Sequence, residues 1–499
     1  MTRTLLLAVL ACGCARSGVI HGVVLDHATG RPLARALVNL QAVTGAAGAA
    51  SARTTSGGQF TFSPVAAGAY LITASRPGFA TLKYGQKTWN APAAPVFVDE
   101  GGNLFLNLRL RRLGVISGII WDENEIGLPD QEVLAYRPTR PPVVAAKAKT
   151  DDRGAFRITG LAPGAYLVRT AAHPLDEWTG VLPTFYREVV TVDDARTVDT
   201  DLDHETPDID FRPNFGKLVR LSGRAVTFPP VSLTVELISD MGKVTTTTGG
   251  NGQFSFESVA PGDYELLAHG FRGGMIAGYE PVHVEKDLEV VTLPVNQLPV
   301  VRPVFEMQDG TPVDPKLITI VGRRKALSGE GPGEVLTASG AGRRSDQFEV
   351  LPGRWRILVL TPPNLYPVSM SRAKGRIDGW TEIDFGESRT DRLRIVLSDR
   401  PGSIRGKVTG PGQEPAAAAP VYLEAYDADA HRRLLDPRSV RTDLRGDYSF
   451  RGLPPGHYRI MSTFEIENPD EKQMDYANCP VVTVKEGEEV VRDLAMTQQ

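Results

Sequence analysis

One phrase limits what this chain can fold into more than any other feature. Asp151-Asp152-Arg153-Gly154 reads as a tight turn, and Ala155-Phe156-Arg157-Ile158-Thr159 as an alternating strand. Ala162-Pro163-Gly164 is a corner, and Ala165-Tyr166-Leu167-Val168 a second alternating strand. Asp in such a turn supplies side-chain-to-backbone bonding, and Gly is free to take positive φ. Phe156 and Ile158 point to one face, and Tyr166 and Val168 do the same after the corner. The pattern predicts a β-hairpin with one apolar side. It recurs at Gly58-Gln59-Phe60-Thr61-Phe62 with Gly68-Ala69-Tyr70, and at Asn251-Gly252-Gln253-Phe254-Ser255-Phe256 with Pro261-Gly262-Asp263-Tyr264. It recurs again at Arg445-Gly446-Asp447-Tyr448-Ser449-Phe450 with Pro455-Gly456-His457-Tyr458. Gln347-Phe348-Glu349-Val350-Leu351-Pro352-Gly353-Arg354-Trp355 is a worn copy, shorter through the corner. The corner glycines at 68, 164, 262, 353 and 456 are 96, 98, 91 and 103 residues apart. That spacing is the size of a small domain and too long for a solenoid repeat.

Four units open with a strand carrying a central glycine. These are Val19-Ile20-His21-Gly22-Val23-Val24, Val115-Ile116-Ser117-Gly118-Ile119-Ile120, Arg220-Leu221-Ser222-Gly223-Arg224-Ala225 and Ser403-Ile404-Arg405-Gly406-Lys407-Val408. Glycine there permits close approach of a facing sheet, or a bulge. A second strand, a variable loop, the repeated phrase and a closing strand such as Leu104–Leu110 follow. About seven short strands per unit make an antiparallel Greek-key β-sandwich the economical answer. The chain is therefore expected to be all-β, five sandwiches strung like beads. The expected spans are 15–111, 112–214, 215–297, 298–400 (degenerate) and 401–499, after a leader at 1–14. In the fourth, Val300-Val301-Arg302-Pro303-Val304-Phe305 should lie at a sheet edge because of its proline. The Gly/Ser/Arg-rich segment Arg323 to Arg344 is expected to be locally disordered.

The phrase Asp-x-x-Gly-x-(Phe/Tyr)-x-(Phe/Ile)-x-x-Leu-x-Pro-Gly-x-Tyr-x-(Ile/Val), after a Gly-centred strand, resembles the carboxypeptidase regulatory-like domain. The resemblance implies a transthyretin-like or Ig-like sandwich, close to the collagen-adhesin B-type and starch-binding-like folds. It covers units one, two, three and five clearly and unit four weakly. Tandem copies behind an export signal are similar to large exported proteins of soil bacteria. The motif consists of turn and core residues, so it speaks to fold more than function.

Composition excludes some functions. The net charge is −4, from 55 basic and 59 acidic residues without a long single-sign block, so nucleic acid has no electrostatic footprint here. Arg3, the apolar run Leu5–Ala11 and then Cys12-Gly13-Cys14 read as an export signal. Cys12 after Val9-Leu10-Ala11 resembles the lipobox of bacterial lipoproteins, which implies a diacylated Cys12; Cys14 is the second choice, and plain secretion the alternative. The expected location is the bacterial cell envelope, as an outer-membrane or periplasm-facing lipoprotein, or outside the cell. The membrane is then touched only through that anchor. Cys479 is a lone thiol, expected to be a small buried hydrophobe.

The search for chemistry turns up little. The eight histidines are scattered, and neither a zinc helix nor a finger spacing of cysteines occurs. Asp199, Asp201 and Asp203 alternate with Val198, Thr200 and Leu202, which places them on one outward face. They could offer oxygens to Ca²⁺, but no glycine-centred loop gathers them, and a solvated closing strand is the simpler reading. The remaining lead is aromatic. Tyr84 and Trp89 lie in the polar loop Lys83–Asn90, and Trp178, Phe185 and Tyr186 in the matching loop of the second unit. Such rings stack on sugar faces, but they also cover sandwich ends or seal contacts between units. The expectation is a non-enzymatic monomer without cofactor, metal or catalytic residues, serving as surface spacer or adhesion scaffold. Its candidate partners are a polysaccharide or a cell-surface protein. Carbohydrate binding through Tyr84, Trp89, Trp178 and Tyr186 is the alternative.

Overall fold

The computed structural model describes residues 17–43, 49–139, 142–177, 179–326, 329–330, 334–337, 347–351, 353–372, 375–376, 383–385, 390–426, 438–469 and 471–497. Cys12, Cys14 and Trp178 lie outside the described residues. Among those described, strands dominate, joined by one short helix at Glu471–Tyr476 and a 3₁₀ turn at Pro315–Leu317.

One strand plan recurs along the chain, with a variation in the fourth unit, where Tyr366–Arg372 joins the sheet of the opening strand beside the closing strand. In the first unit, Gln59–Val65, Gly18–Asp26 and Asn103–Leu110 form one sheet in that order, and Ala50–Arg53, Leu37–Ala42 and Gly68–Ser75 the core of the other. The second unit repeats the plan with Ala155–Leu161, Gly114–Ile119 and Glu205–Thr206 facing Val143–Lys149, Glu132–Arg137, Gly164–Thr170 and Val198–Thr200. Opening strands at Val219–Val226, Val300–Met307 and Gly402–Thr409 likewise lie between the first strand of the repeated phrase and the closing strand in the later units. Alternation explains the layers. Gly18–Asp26 buries every second residue, and the buried face of each sheet turns toward the other. Large buried clusters result at 20–110, 116–211, 219–295, 301–397 and 404–494. Each fully buried Ile, Leu, Val or Phe in them contributes about 1.5–3 kcal/mol.

The repeated phrase is not a hairpin. Ala155–Leu161 pairs with the opening strand (Phe156 opposite Gly118), whereas Gly164–Thr170 pairs with Glu132–Arg137 (Val168 opposite Ala135). The Pro-Gly corner therefore carries the chain from one sheet to the other, as an arch. Period-2 alternation is the same for two strands side by side and for two facing each other, so the apolar pattern alone does not separate these cases. The corner is held from inside. Tyr70 Oη donates to Ala66 O (2.8 Å), Tyr166 to Ala162 (2.6 Å), Tyr264 to Ala260 (2.8 Å) and Tyr458 to Pro454 (2.5 Å). In the worn copy Trp355 Nε1 does the same to Leu351 O (2.8 Å). Gly164 at φ 129° takes a backbone turn that a side chain would strain.

Each closing strand runs parallel to its opening strand, as in Val19–Asp26 against Asn103–Leu110. The sandwich is thus antiparallel apart from the closing strand's pairing (made by two short strands, Glu489–Val491 and Leu494–Ala495, in the fifth unit), and the intervening strands serve as the crossover that parallel pairing needs. This pairing also explains the central glycines. A Cβ on Gly118 would sit 2.3 Å from Ile209 O, and one on Gly406 1.9 Å from Arg492 O. The close approach comes from the neighbouring strand of the same sheet, not from the facing sheet.

Pro303 lies in a strand that is second in its sheet. Val300 and Val301 pair with Glu349 and Phe348 on one side and with Thr390 and Asp391 on the other, Pro303 lies beside Leu393, and Glu306 bridges Pro312. The strand is therefore not the sheet edge that its proline suggested, since it has a neighbour on each side. Within the segment expected to be disordered, 323–326, 329–330 and 334–337 are strands, and the rest lies outside the described residues. Phe215–Gly216 pairs with Gly180–Val181 of the second unit.

Candidate functional site

The loop aromatics divide by burial. Tyr84 is half-buried against the first core, its amide donating to Ile72 O (2.9 Å) and its carbonyl accepting from Ala94 (2.9 Å). Tyr186 is half-buried on the second core, edge-to-face with Phe211 at 6.0 Å and under the Arg187 guanidinium at 5.6 Å. Phe185 is fully buried, with Arg169 over its ring at 5.1 Å. Trp89, at 39% exposure, offers a face to solvent. Tyr84 and Tyr186 thus cover sandwich ends, and no described contact joins them to one another.

The acidic run does not keep its shared face. The strand ends at Thr200, and Asp203 takes φ 58°, turning its carboxylate onto the joint between the first two units. There it accepts from Arg111 Nε (2.8 Å) and the Arg112 amide (2.7 Å), with His27 Nδ1 at 3.3 Å. Among the described residues no group of three or more His, Cys, Asp or Glu is placed to hold a metal ion. Arg112 also reaches the buried Asp26 (2.6 Å) and lies 5.2 Å over the Phe79 ring. Burial alone would raise the Asp26 carboxyl; amide donation from Thr29 and Ala28 and the Arg112 guanidinium outweigh it and hold the group below its ordinary value. The linker bonds to both neighbours, through Ala80 N to Arg111 O (2.9 Å) and Asp203 N to Arg112 O (2.9 Å).

Later seams are built differently. Met241 of the third unit is buried against Tyr136, Leu167 and Phe185 of the second. Leu351 of the fourth packs on Leu267, Ala277 and Leu298, and Arg324 stands over Tyr279 (4.8 Å) beside the buried Glu265 (3.7 Å). Burial, and then Glu265, pushes the Tyr279 hydroxyl up. Between the fourth and fifth units Glu486 accepts from Tyr366 (3.2 Å), Ser398 (2.9 Å) and Arg400 (2.8 Å).

Two sets of polar residues escaped the sequence reading. Thr54, Thr150, Thr248 and Thr442 are buried, each four residues before the turn glycine. Thr150 Oγ1 donates to Leu128 O (2.6 Å) and accepts from Gln131 N (2.9 Å), and Thr442 does the same with Ala416 O (2.5 Å) and Ala419 N (2.9 Å). Their fixed offset from the glycine was the available signal. The other set is unique to the fifth unit. Arg459 makes two bonds to Glu424 (3.0 and 2.6 Å), pairs with Asp475 and lies over the Tyr426 ring at 5.0 Å. Cys479 borders this cluster, half-buried beside Tyr422, Met461 and Met474; burial pushes its thiol up, so it is protonated at neutral pH.

Residues 19–111 match the family described as carboxypeptidase regulatory-like domain. Colossin-A of Dictyostelium discoideum is 25% identical over 434 residues, which is 74% of this chain and 4% of that protein. The chain therefore spans a small fraction of that relative's length. Among solved structures, a minor pilin of Streptococcus agalactiae is 15% identical, over 43% of this chain and 99% of its own, at TM-score 0.26. The major pilin of Bacillus cereus is 10% identical, over 56% of this chain and 100% of its own, at TM-score 0.17. A pilus adhesin of Lactobacillus rhamnosus GG is 10% identical, over 73% of this chain and 56% of its own, at TM-score 0.17.

Proposed function

We propose, on the premise that residues 19–111 are a carboxypeptidase regulatory-like domain whose strand plan the later units repeat, that the protein is a non-enzymatic, exported scaffold acting at the cell surface as spacer or adhesion protein. Anchoring by lipid at Cys12 or Cys14, five separate domains with the spans given above, and a polysaccharide or cell-surface protein as partner belong to the same proposal. The observation that supports it is the use of the repeated polar residues. Asp151 and Asp443 cap turns, the four threonines clip loops, and the tyrosines lock corners. Side chains copied with the unit serve architecture.

The test uses the chain without residues 1–14, immobilised and offered whole cells, envelope polysaccharide and surface-protein extracts. Specific retention supports the adhesion role; no retention leaves only the spacer. Turnover in broad hydrolase profiling would end the non-enzymatic reading, and mass spectrometry of the mature N-terminus decides the lipid anchor. The exposure of Trp89 favours carbohydrate binding as a second reading, in which Tyr84, Trp178 and Tyr186 assist. Glycan-array binding that survives combined Trp89→Ala and Trp178→Ala substitution counts against it.

A further inference from the structure

The two ends of the chain of units meet. Lys83 pairs with Glu467 across 384 residues of sequence, Lys87 pairs with Glu465, and Thr88 Oγ1 donates to Glu465 O at 3.2 Å. Arg441 donates to Ala93 O at 3.3 Å while holding Ala418 O of its own unit at 2.8 Å. Beside these bonds Ala91 and Ala93 are 0% and 4% exposed, although neither belongs to the first unit's core cluster. Burial also pushes the Arg441 guanidinium down. Lys83 and Lys87 come from the first unit's loop and Glu465 and Glu467 from the fifth unit, so these two pairs complement each other in charge, while Arg441 of the fifth unit meets a carbonyl.

We propose that this contact is a clasp: the partner of the 83–93 loop is the chain's own fifth unit, and their pairing closes the five sandwiches into a ring whose opening is controlled by ionic strength. Three arguments carry this. First, the other four junctions are present and consecutive, so the end-to-end contact is the one that completes a circuit. Second, ion pairs with this much exposure contribute little singly and are screened by salt. They suffice here because the intervening units tether the two surfaces at high effective concentration. Third, the clasp lacks what secures its neighbours. The first joint is continuous backbone bonded on both sides, and the second and third seams bury apolar clusters. The clasp rests on exposed ion pairs beside two small buried alanines. Unlike the seam between the fourth and fifth units, it has no linker joining its two surfaces, so it is the contact that yields first. Closed, it holds the Trp89 loop against the fifth unit. Open, it lengthens the reach of the molecule. This inference adds to the scaffold reading and does not depend on any ligand.

Small-angle scattering of the full chain tests it. A nine-residue strand such as Gly18–Asp26 spans about 30 Å. Five units end to end then give a radius of gyration of about 43 Å, and a closed pentagon of the same units about 29 Å, a ratio of about 1.5. The wild type at about 0.1 M salt should lie near the smaller value and expand at about 1 M, where the Debye length falls from about 10 to about 3 Å. Lys83→Glu with Lys87→Glu should expand it at low salt, and adding Glu465→Lys with Glu467→Lys should restore compactness. All four side chains lie at the surface contact, so the units themselves should stay folded, which circular dichroism checks. A wild type near the extended value, a wild type indifferent to salt, or a charge-reversed chain of unchanged size overturns the proposal. Failure of the swapped charges to restore compactness does so too.

Discussion

Tyr166→Phe is the sharpest test of the arch. The substitution removes one oxygen from a ring that is 0% exposed and leaves its packing in place, including the Arg137 guanidinium 4.3 Å from its centroid. What is lost is the 2.6 Å bond to Ala162 O, the bond that ties the second strand back to the corner. A buried neutral hydrogen bond contributes about 0.5–1.5 kcal/mol net, and Ala162 O keeps only the longer bond from Arg137 Nη2 (3.4 Å), so the upper end, about 1.5 kcal/mol, is expected. For a unit of about 100 residues that lowers the melting transition by about 6–12 °C. Hydrogen exchange read by mass spectrometry localises the effect. Peptides covering 155–170 should lose about tenfold in protection, which corresponds to about 1.4 kcal/mol. Peptides covering 59–75 and 447–462 keep their own corner tyrosines and should not change. Unchanged protection at 155–170, or an equal loss in all units, would refute the reasoning that the tyrosine locks its own corner.

Other sites give independent checks. Gly118→Ala places a Cβ 2.3 Å from Ile209 O and should cost about 3 kcal/mol by forcing the parallel pair apart, seen as a lower melting temperature. Met241→Ala should remove about 2 kcal/mol from the seam between the second and third units, read as faster exchange at Tyr136 and Phe185 without loss of either core. Asp203→Ala frees Arg111 Nε and the Arg112 amide, and should loosen the first joint by about 1–2 kcal/mol, measured as faster tryptic cleavage at 111–112. At alkaline pH the fifth unit should fail: burial raises the Tyr422 hydroxyl to about 12 and Tyr448 further. Because the folded values exceed the unfolded value of about 10, their contribution is complete below pH ~10 and disappears as pH rises through the folded values. Phenolate absorbance should rise together with loss of β signal, and Tyr422→Phe should delay the transition.

The fold was legible because it is local and repeated. Alternating residues such as Phe60 and Phe62, turn glycines such as Gly154 and the steps between corner glycines required short, half-buried strands in units of one size. The candidate site was legible only in part. Trp89 is exposed, whereas Tyr84 and Tyr186 lie against cores, and Asp203 leaves its expected face for a linker. The Arg459–Glu424 pair and the Arg324–Glu265 contact join residues 35 and 59 positions apart, and no local pattern marks such partners.

What the residues determine unaided is therefore the alternation and the places where the chain must turn, since each depends on neighbours a few positions away. Which strand lies beside which was decided by tertiary structure. An arch and a hairpin bury the same alternate side chains, and only the second sheet, arriving from elsewhere in the chain, selects between them. The same holds for the meeting of the first and fifth units, because charge complementarity across 384 residues exists only once every unit between them has folded and docked.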